Sequence, residues 1–367
     1  MEMEGEIFEV IRVWMEGELS NFIKVWAAVF TALSYCYFAG RFAPKGIPRL
    51  LTVFPVLCLF LNLPLHLHTM HLGGMTAFFI AWLANFKLLM FAFDIGPLSD
   101  PSVSLPRFLF LACFPIKIQQ NTRNPSHNKS KKGQQSLLSY AIKTLLVGVI
   151  VRAYDYTDQI GPILIQIIYC FHIYFGIEII LAMVAAMARA LLGIELEPQF
   201  NEPYLSTSLQ DFWGRRWNIM VTSILRPIVY VPVLRLSARF TRRQWAPLPA
   251  VFATFVVSAA MHELIFYYLG RVMPTFEITW FFLLHGVCLV VEIAIKKAVN
   301  GRWRFPQYVS GPLTVVFVIT TGMWLFFPEL IRCRGLDRAL EEYAAFGAFV
   351  KDVGGALRFK PHNATTQ

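Results

Sequence analysis

The chain has 367 residues, of which 56% are hydrophobic and only 15% charged, and its mean hydropathy is +0.52. Because soluble globular domains carry about a quarter charged residues, this composition excludes an ordinary soluble enzyme. The formal net charge of +10 does not indicate a nucleic-acid partner, since the basic residues gather in short loops between apolar stretches, as in membrane proteins. We therefore predict an all-α, polytopic bundle of transmembrane helices embedded in a lipid bilayer.

Eight apolar stretches are long enough to cross the hydrocarbon core, which needs about 20 helical residues. In chain order they are 22–40, 50–66, 74–93, 137–153, 160–192, 249–269, 277–296 and 309–328. The stretch 160–192 fits either one tilted helix or two short ones. Two more apolar segments, 105–116 and 218–234, contain prolines and are predicted to be re-entrant or interfacial. Together the stretches predict a single membrane domain over residues 1–367.

Loop charge predicts the orientation of these stretches. Basic residues follow the first stretch, as Arg41, Lys45 and Arg49, and recur within 117–132, 235–243 and 296–304. Cationic loops stay in the cytoplasm, so the acidic N-terminus is predicted to be lumenal. Since this N-terminus lacks a basic segment and a small-residue cleavage site, the first stretch is predicted to be a retained signal-anchor. The tail after Phe327 carries both signs of charge and indicates neither side.

The cysteines do not predict a metal site or a disulfide framework. The six are Cys36, Cys58, Cys113, Cys170, Cys288 and Cys333, with no CxxC spacing among them. Four fall inside apolar stretches, where cysteine packs as a small hydrophobe.

Ionisable residues inside the apolar stretches are costly in a bilayer and are therefore candidates for function. They are Lys87, His172, Glu178, His262, Glu263, His285 and Glu292. A buried histidine can also simply hydrogen-bond to a neighbouring helix. His262 is the strongest candidate, because it lies about 20 Å along an otherwise apolar helix that starts near Pro249. The small residues 258–260 before it leave room for a substrate or a neighbouring helix.

A second dense group of polar residues lies between apolar stretches, where 198–218 reads PQFNEPYLSTSLQDFWGRRWN. An interfacial amphipathic helix with tryptophans at the headgroup level explains Trp213 and Trp217. It does not explain so many neutral hydrogen-bonding side chains. Arg215 and Arg216 on the cytoplasmic side are suited to gripping phosphates, and Asn218 is suited to donating to a developing oxyanion.

The string SLQDFWGRRWN at 208–218, with PQFNEPYL before it and MHEL at 261–264, resembles the plant wax synthases of the membrane-bound O-acyltransferase superfamily. That family includes plant acyl-CoA:sterol O-acyltransferases. The resemblance extends over nearly the whole chain, through HLGGMTAFFIAWLANFKLLMFAF at 71–93, GPLS at 96–99, FPIKIQ at 114–119 and SGPLT at 310–314. Residues 196–300 correspond to the catalytic core of a wax synthase.

The resemblance implies an enzyme that joins a fatty acyl group from acyl-CoA to an alcohol and releases CoA. It implies a catalytic pair at His262 and Asn218. The histidine acts as general base, and the asparagine orients the reactants or stabilises the oxyanion. Around the pair, the expected substrate-binding residues are Arg215, Arg216, Trp213, Trp217, Gln210, Asp211 and Glu263. No cofactor is expected, because acyl-CoA serves as co-substrate, and the endoplasmic reticulum is the expected membrane.

Several alternatives remain open at this point. The acceptor implied by the resemblance is a long-chain fatty alcohol, with a sterol or diacylglycerol as alternatives. Segments HELIFYYLGR and VEIAIKKAVNG are more similar to the sterol-esterifying members. From another class, a transporter with a proton relay through His262 and Glu263 fits the intramembrane charges, although the chain contains no paired repeats. A covalent acyl-enzyme is not expected, since no GxSxG motif is present.

Overall fold

The computed structural model describes residues 15–115, 129–193, 199–299 and 306–358, and the regular elements in these ranges are all helices. The predicted all-α class is therefore confirmed. Asn128, which opens the sequence Asn-Lys-Ser, and Asn363, which opens Asn-Ala-Thr, lie outside the described residues, as do Pro198 and residues 116–119 of the recognised segments.

The helices follow one another along the chain with short connections. The α-helices are α1 Ser20–Phe42, α2 Ile47–Asn62, α3 Met70–Thr76, α4 Asn85–Ala92, α5 Leu105–Cys113, α6 Lys129–Ala153, α7 Pro162–Leu192, α8 Leu209–Asp211, α9 Ile219–Leu225, α10 Val231–Phe240, α11 Pro247–Gly270, α12 Glu277–Ala298, α13 Gln307–Thr321, α14 Phe327–Arg332 and α15 Gly335–Arg358. Wider π-helical segments continue three of these helices into the next, at Ala77–Ala84, Arg226–Tyr230 and Gly322–Phe326.

Within the described residues, eight helical segments are long and apolar enough to cross a membrane, which confirms a multi-pass integral membrane protein. They are 17–42, 47–66, 70–92, 162–191, 219–240, 247–270, 277–298 and 307–332. The stretch 160–192 forms one helix of 31 residues rather than two.

Two of the predicted segments are helical. The segment 218–234, predicted to be re-entrant or interfacial, lies within a continuous helical run over residues 219–240, which widens to a π-helix at Arg226–Tyr230 around Pro227. Helical length alone does not test whether this run crosses the bilayer, so its re-entrant or interfacial placement stays a prediction. The stretch 137–153 lies in α6, and its membrane crossing also stays a prediction.

The described residues form two compact units. The first comprises Met1–Cys113, Met261–Thr275 and Glu329–Gln367, and the second comprises Phe114–Ala260 and Phe276–Pro328. In the first unit α1 packs against α2, and every residue of Ala77–Ala84 except Phe78 is buried. The buried Lys87 donates to the carbonyl of Leu111 near the C-terminus of α5, over 2.5 Å, so this cation offsets the partial negative charge of a helix end.

In the second unit α6 packs against α7, and a pair of oppositely charged side chains, Lys143 and Glu178, joins the two helices. His172 in α7 is hydrogen-bonded to the Tyr154 hydroxyl at 2.9 Å. These two contacts account for His172 and Glu178 as structural polar residues in an apolar setting.

Candidate active site

The residues of the SLQDFWGRRWN motif, 208–218, form a loop that hydrogen bonds tie to the segment preceding it. The amide of Asn201 donates to the carbonyl of Arg216, and the amide of Ile219 donates to the carbonyl of Gln199, both over 2.9 Å. The two stretches therefore run side by side in opposite directions. Within the motif, the amide of Trp217 closes a turn on the carbonyl of Phe212 at 2.8 Å.

The two neighbouring arginines of the motif differ in their surroundings. Arg216 pairs with Asp211 at 2.7 Å and donates to the carbonyls of Asn201 and Glu202, each at 3.2 Å. Its fork of N–H donors thus holds the loop together. Arg215 is exposed and has no hydrogen-bond or ion-pair partner within the described ranges, so its charge is available to a ligand.

The start of the motif is capped by two side chains. Ser208 accepts a hydrogen bond from the amide of Asp211 at 3.1 Å, as an N-cap serine does. Glu292 in α12 accepts from the amides of Leu209 at 2.8 Å and of Gln210 at 3.3 Å. A carboxylate is favourable at a helix N-terminus, because the free amides there carry partial positive charge.

Lys296, one helical turn beyond Glu292, completes this cap. Its ammonium group lies 2.7 Å from the Glu292 carboxylate and 3.4 Å from the Gln210 side-chain oxygen. Gln210, predicted to bind substrate, thus takes part in the same polar group as the cap.

Trp213 inserts between α11 and α12. Its indole N–H donates to Nδ1 of His285 at 3.1 Å, and its ring meets Phe255 edge-on with centroids 5.5 Å apart. The two helices approach closely here because residue 286 is glycine: a Cβ at Gly286 would come within 2.9 Å of the Phe255 side chain. The close approach shapes the slot that the indole fills.

Trp217 sits in a layer of aromatic rings directly before Asn218. It stacks on Phe212 with an interplanar angle of 15° and on Tyr174 with an angle of 29°, while Phe200 meets it edge-on. Aromatic pairs of this kind are worth about 0.5–1.5 kcal/mol beyond their buried area. The packing therefore fixes the backbone on one side of Asn218.

Asn218 has a left-handed backbone conformation, with φ 40° and ψ 66°, which asparagine tolerates better than most residues. Its side-chain oxygen caps α9 by accepting from the amide of Val221 at 3.4 Å. Since the oxygen faces the helix, the amide nitrogen of the side chain faces away. Its two N–H donors have no partner among the residues that the structure describes.

His262 lies on α11, about 22 Å from the start of the helix and about 12 Å from its end, well inside a membrane span. It is half-buried, and the next residue, Glu263, is buried. Two residues of the same turn region, Leu264 and Tyr268, pack against Ala77 and Ala81. This contact fixes the rotation of the helix about its axis.

The structure thus brings six of the predicted residues into one loop of the second unit, namely Gln210, Asp211, Trp213, Arg216, Trp217 and Asn218, with Arg215 on its exposed side. His262 and Glu263 belong to the first unit. The catalytic and binding roles assigned to these residues stay predictions. Sequence reasoning missed the partners of the loop, His285 and Glu292: both stood out as ionisable residues inside an apolar stretch, but nothing in the sequence indicated what they contact.

The chain has clear relatives among known proteins. A model of the membrane bound O-acyl transferase family matches residues 196–284, which contain the whole loop and His262. Acyl-CoA–sterol O-acyltransferase 1 of Arabidopsis thaliana is 52% identical over 89% of this chain and 94% of its own length. Long-chain-alcohol O-fatty-acyltransferase of Simmondsia chinensis is 47% identical over 94% of this chain and 95% of its own length. A probable long-chain-alcohol O-fatty-acyltransferase 3 of Arabidopsis thaliana is also 47% identical, over 95% and 97%.

Proposed function

Because the chain belongs to the membrane-bound O-acyltransferase family, in the group of the plant long-chain-alcohol and sterol O-acyltransferases, we propose that it esterifies a lipophilic alcohol with the acyl group of acyl-CoA. The observation that carries this proposal is the identity of about half of all residues with these acyltransferases over nearly the full chain. A long-chain fatty alcohol is the first proposed acceptor, with wax ester and free CoA as products.

The proposed reaction is a direct transfer between the two substrates. His262 accepts the proton of the alcohol as its oxygen attacks the thioester carbonyl. The carbonyl oxygen takes up the negative charge, and the free amide N–H groups of Asn218 are suited to stabilise it. When the carbon–sulfur bond breaks, the CoA thiolate receives the proton from His262. No group is oxidised or reduced, so acyl-CoA as co-substrate suffices and no cofactor is proposed.

The setting of His262 supports its proposed role. The histidine lies inside a membrane span, where water is scarce, and follows the small residues Ser258, Ala259 and Ala260, whose side chains occupy little space. Exclusion of water matters because water competes with the alcohol for the thioester. The cationic loops then face the cytosol, where acyl-CoA is supplied, and the endoplasmic reticulum is the proposed membrane.

A sterol is the second candidate acceptor. The observation that favours it is the 52% identity with a sterol O-acyltransferase, against 47% with the long-chain-alcohol enzymes. The reaction is the same with either acceptor, because both present one hydroxyl on an apolar body.

The test is an ester-forming assay in microsomes from a host that makes neither sterol esters nor wax esters. Labelled palmitoyl-CoA is supplied together with a fatty alcohol, a sterol or diacylglycerol. We expect labelled ester with at least one acceptor, and the acceptor consumed identifies the substrate. Microsomes from the host without this protein are the background. Absence of any labelled ester above that background, with well-expressed protein, would show that the proposed activity is wrong.

A further inference from the structure

The geometry points to a positioning device that nothing in the family comparison assigns: a hydrogen-bonded chain from Trp213 through His285 to Thr321, which holds Asn218 in place. The inference rests on the proposed function, since its purpose is to fix the amide that stabilises the oxyanion. Its residues come from the motif loop, α12 and α13, all in the second unit.

Each group in the chain has one possible role. The Trp213 indole can only donate, so Nδ1 of His285, at 3.1 Å, must accept and carries no proton. The proton of the neutral ring is then on Nε2, which donates to the Thr321 hydroxyl at 2.8 Å. That hydroxyl donates its own hydrogen bond to the carbonyl of Phe317 at 2.7 Å. Every donor therefore has an acceptor, and all the hydrogen bonds run in the same direction from Trp213 to Phe317.

Burial makes this chain costly to break. His285 is fully buried, and Thr321 is 6% exposed. The imidazole lies between Phe281 and Phe317, with ring centroids 4.4 Å and 5.1 Å away. In such surroundings water cannot replace a lost partner, so an unpaired donor or acceptor keeps its full desolvation cost. The indole is thus held in a single position.

The position of the indole is transmitted to Asn218, five residues later. The Thr222 hydroxyl in α9, the helix that Asn218 caps, donates to the carbonyl of Trp213 at 3.3 Å. In the intervening turn, the amide of Trp217 donates to the carbonyl of Phe212, the residue before Trp213. Trp213 is therefore bonded to the helix that follows Asn218, and its neighbour Phe212 is bonded to the residue that precedes Asn218. A shift of the indole would move the amide that must meet the oxyanion.

The same helix α12 holds the motif at a second point. Glu292, which caps α8, follows His285 by seven residues, or about two helical turns, so the two side chains share one face of the helix. One rigid helix face thus fixes both the start and the middle of the loop.

This geometry assigns His285 the role of a positioning residue and not that of the general base. A base needs a free lone pair, and the only lone pair on the ring already accepts from Trp213. A protonated ring would turn an N–H toward the indole N–H and break the contact. Removing His285 should therefore act through the placement of Asn218 and not through proton transfer.

The experiment compares steady-state kinetics of His285→Leu, His285→Asn and Trp213→Phe with the wild type, in microsomes with acyl-CoA varied. We expect His285→Leu and Trp213→Phe to lower kcat by about 10- to 100-fold, the range that a displacement of about 1 Å produces, with little change in KM for acyl-CoA. His285→Asn should recover most of kcat, because its side-chain oxygen can accept from Trp213. The double variant Trp213→Phe/His285→Leu should be no slower than the slower single variant.

Thr321→Val tests the last link of the hydrogen-bonded chain, and Thr314→Val is its control for the loss of a buried hydroxyl as such. Both threonines lie in α13, both are nearly buried and both hydroxyls bond to the carbonyl four residues earlier, but only Thr321 meets His285. We expect a fall in kcat for Thr321→Val alone. Equal kcat in the two valine variants, or wild-type kcat in Trp213→Phe, would overturn the inference.

A measurement without substrate separates this inference from the proposed function. The thermal unfolding midpoints of the two single variants and the double variant of Trp213 and His285 report whether the residues are coupled. We expect the losses to be non-additive. Additive losses contradict the anchor even if esters form, whereas coupled losses in a wild type that forms no ester contradict only the proposed activity.

Discussion

Two adjacent arginines show how far identical side chains can diverge in role. Arg216 donates to the Asp211 carboxylate and to two backbone carbonyls, whereas Arg215 is exposed and has no hydrogen-bond partner among the described residues.

We expect Arg215→Ala to raise the KM for acyl-CoA about tenfold or more, the effect of losing one charge-assisted phosphate contact. Arg216→Ala should instead lower kcat by loosening the loop. Steady-state kinetics with acyl-CoA varied at saturating acceptor distinguish the two variants. An unchanged KM for acyl-CoA in Arg215→Ala would contradict the phosphate contact and leave Arg215 a lipid anchor.

Asn218 offers a second test at the scale of one residue. Its oxygen caps α9, while its N–H groups are free for an oxyanion. Asn218→Asp keeps the capping oxygen but removes the donors, so we expect kcat to fall about 10²-fold or more, with a thermal unfolding midpoint close to that of the wild type. Asn218→Ala should lose both. Near-normal kcat in a folded Asn218→Asp variant would exclude the oxyanion role.

His262 is expected to be the general base, and its loss should be severe. A base contributes about 10²- to 10⁴-fold, so His262→Ala should remove nearly all ester formation while the protein remains in the membrane. His172→Ala is the matched control, because His172 is an intramembrane histidine that bonds to Tyr154 outside the motif. Measured turnover of His262→Ala within about tenfold of the wild type would contradict the assignment.

At the scale of elements, the helix α15 docks within the first unit through Glu342. The Glu342 carboxylate accepts from the amides of Met70 and His71 at the start of α3 and lies 2.7 Å from the His71 ring. Burial raises the pKa of Glu342, but the hydrogen bonds from His71 and Met70 lower it by more, so it lies below its ordinary value of 4.5. The ionised carboxylate therefore stabilises the fold.

The sign of this effect gives a pH-dependent prediction. Because the pKa is depressed in the folded protein, the stabilisation is complete above pH 4.5 and is lost as the pH falls through the folded value. Glu342→Gln should lower the thermal unfolding midpoint at pH 7, and the difference should shrink as the pH falls below 4.5. Glu341→Gln is the control, since the exposed Glu341 lies 3.6 Å from Arg334 in a weak surface pair. A constant difference across this pH range would contradict the assignment.

At the scale of the whole molecule, the docking of α15 also predicts the side of the C-terminus. Arg338 donates to the carbonyls of His68 and Leu269, which lie at the end of the first unit opposite the cationic turn at 41–49. With that turn in the cytosol, α15 is lumenal. An epitope tag at the C-terminus should resist protease in sealed microsomes, and Asn128 should carry no glycan. Digestion of the tag in intact vesicles, or a glycan on Asn128, would contradict this orientation.

The sequence by itself determined the class of the protein, most of its spans and the identity of the motif. These depend on local properties: an apolar run of about 20 residues predicts a span wherever it lies, and eleven specific residues in a row suffice for recognition. Local signals were less informative at 218–234, where prolines predict an interruption. The helix runs through Pro227 and Pro232 and accommodates them by a π-helical widening at Arg226–Tyr230, which the sequence pattern does not specify.

Only the tertiary structure decided what the motif contacts. Trp213 meets His285 across 72 residues of chain, and Glu292 caps a helix 83 residues before it. Such pairs depend on how helices pack and rotate about their axes, and no periodicity in the sequence specifies this. The same holds for Arg215 and Arg216, whose sequence positions are equivalent. Adjacent residues of a tight turn point in different directions. In the folded protein Arg216 therefore has three hydrogen-bond partners, whereas Arg215 is exposed.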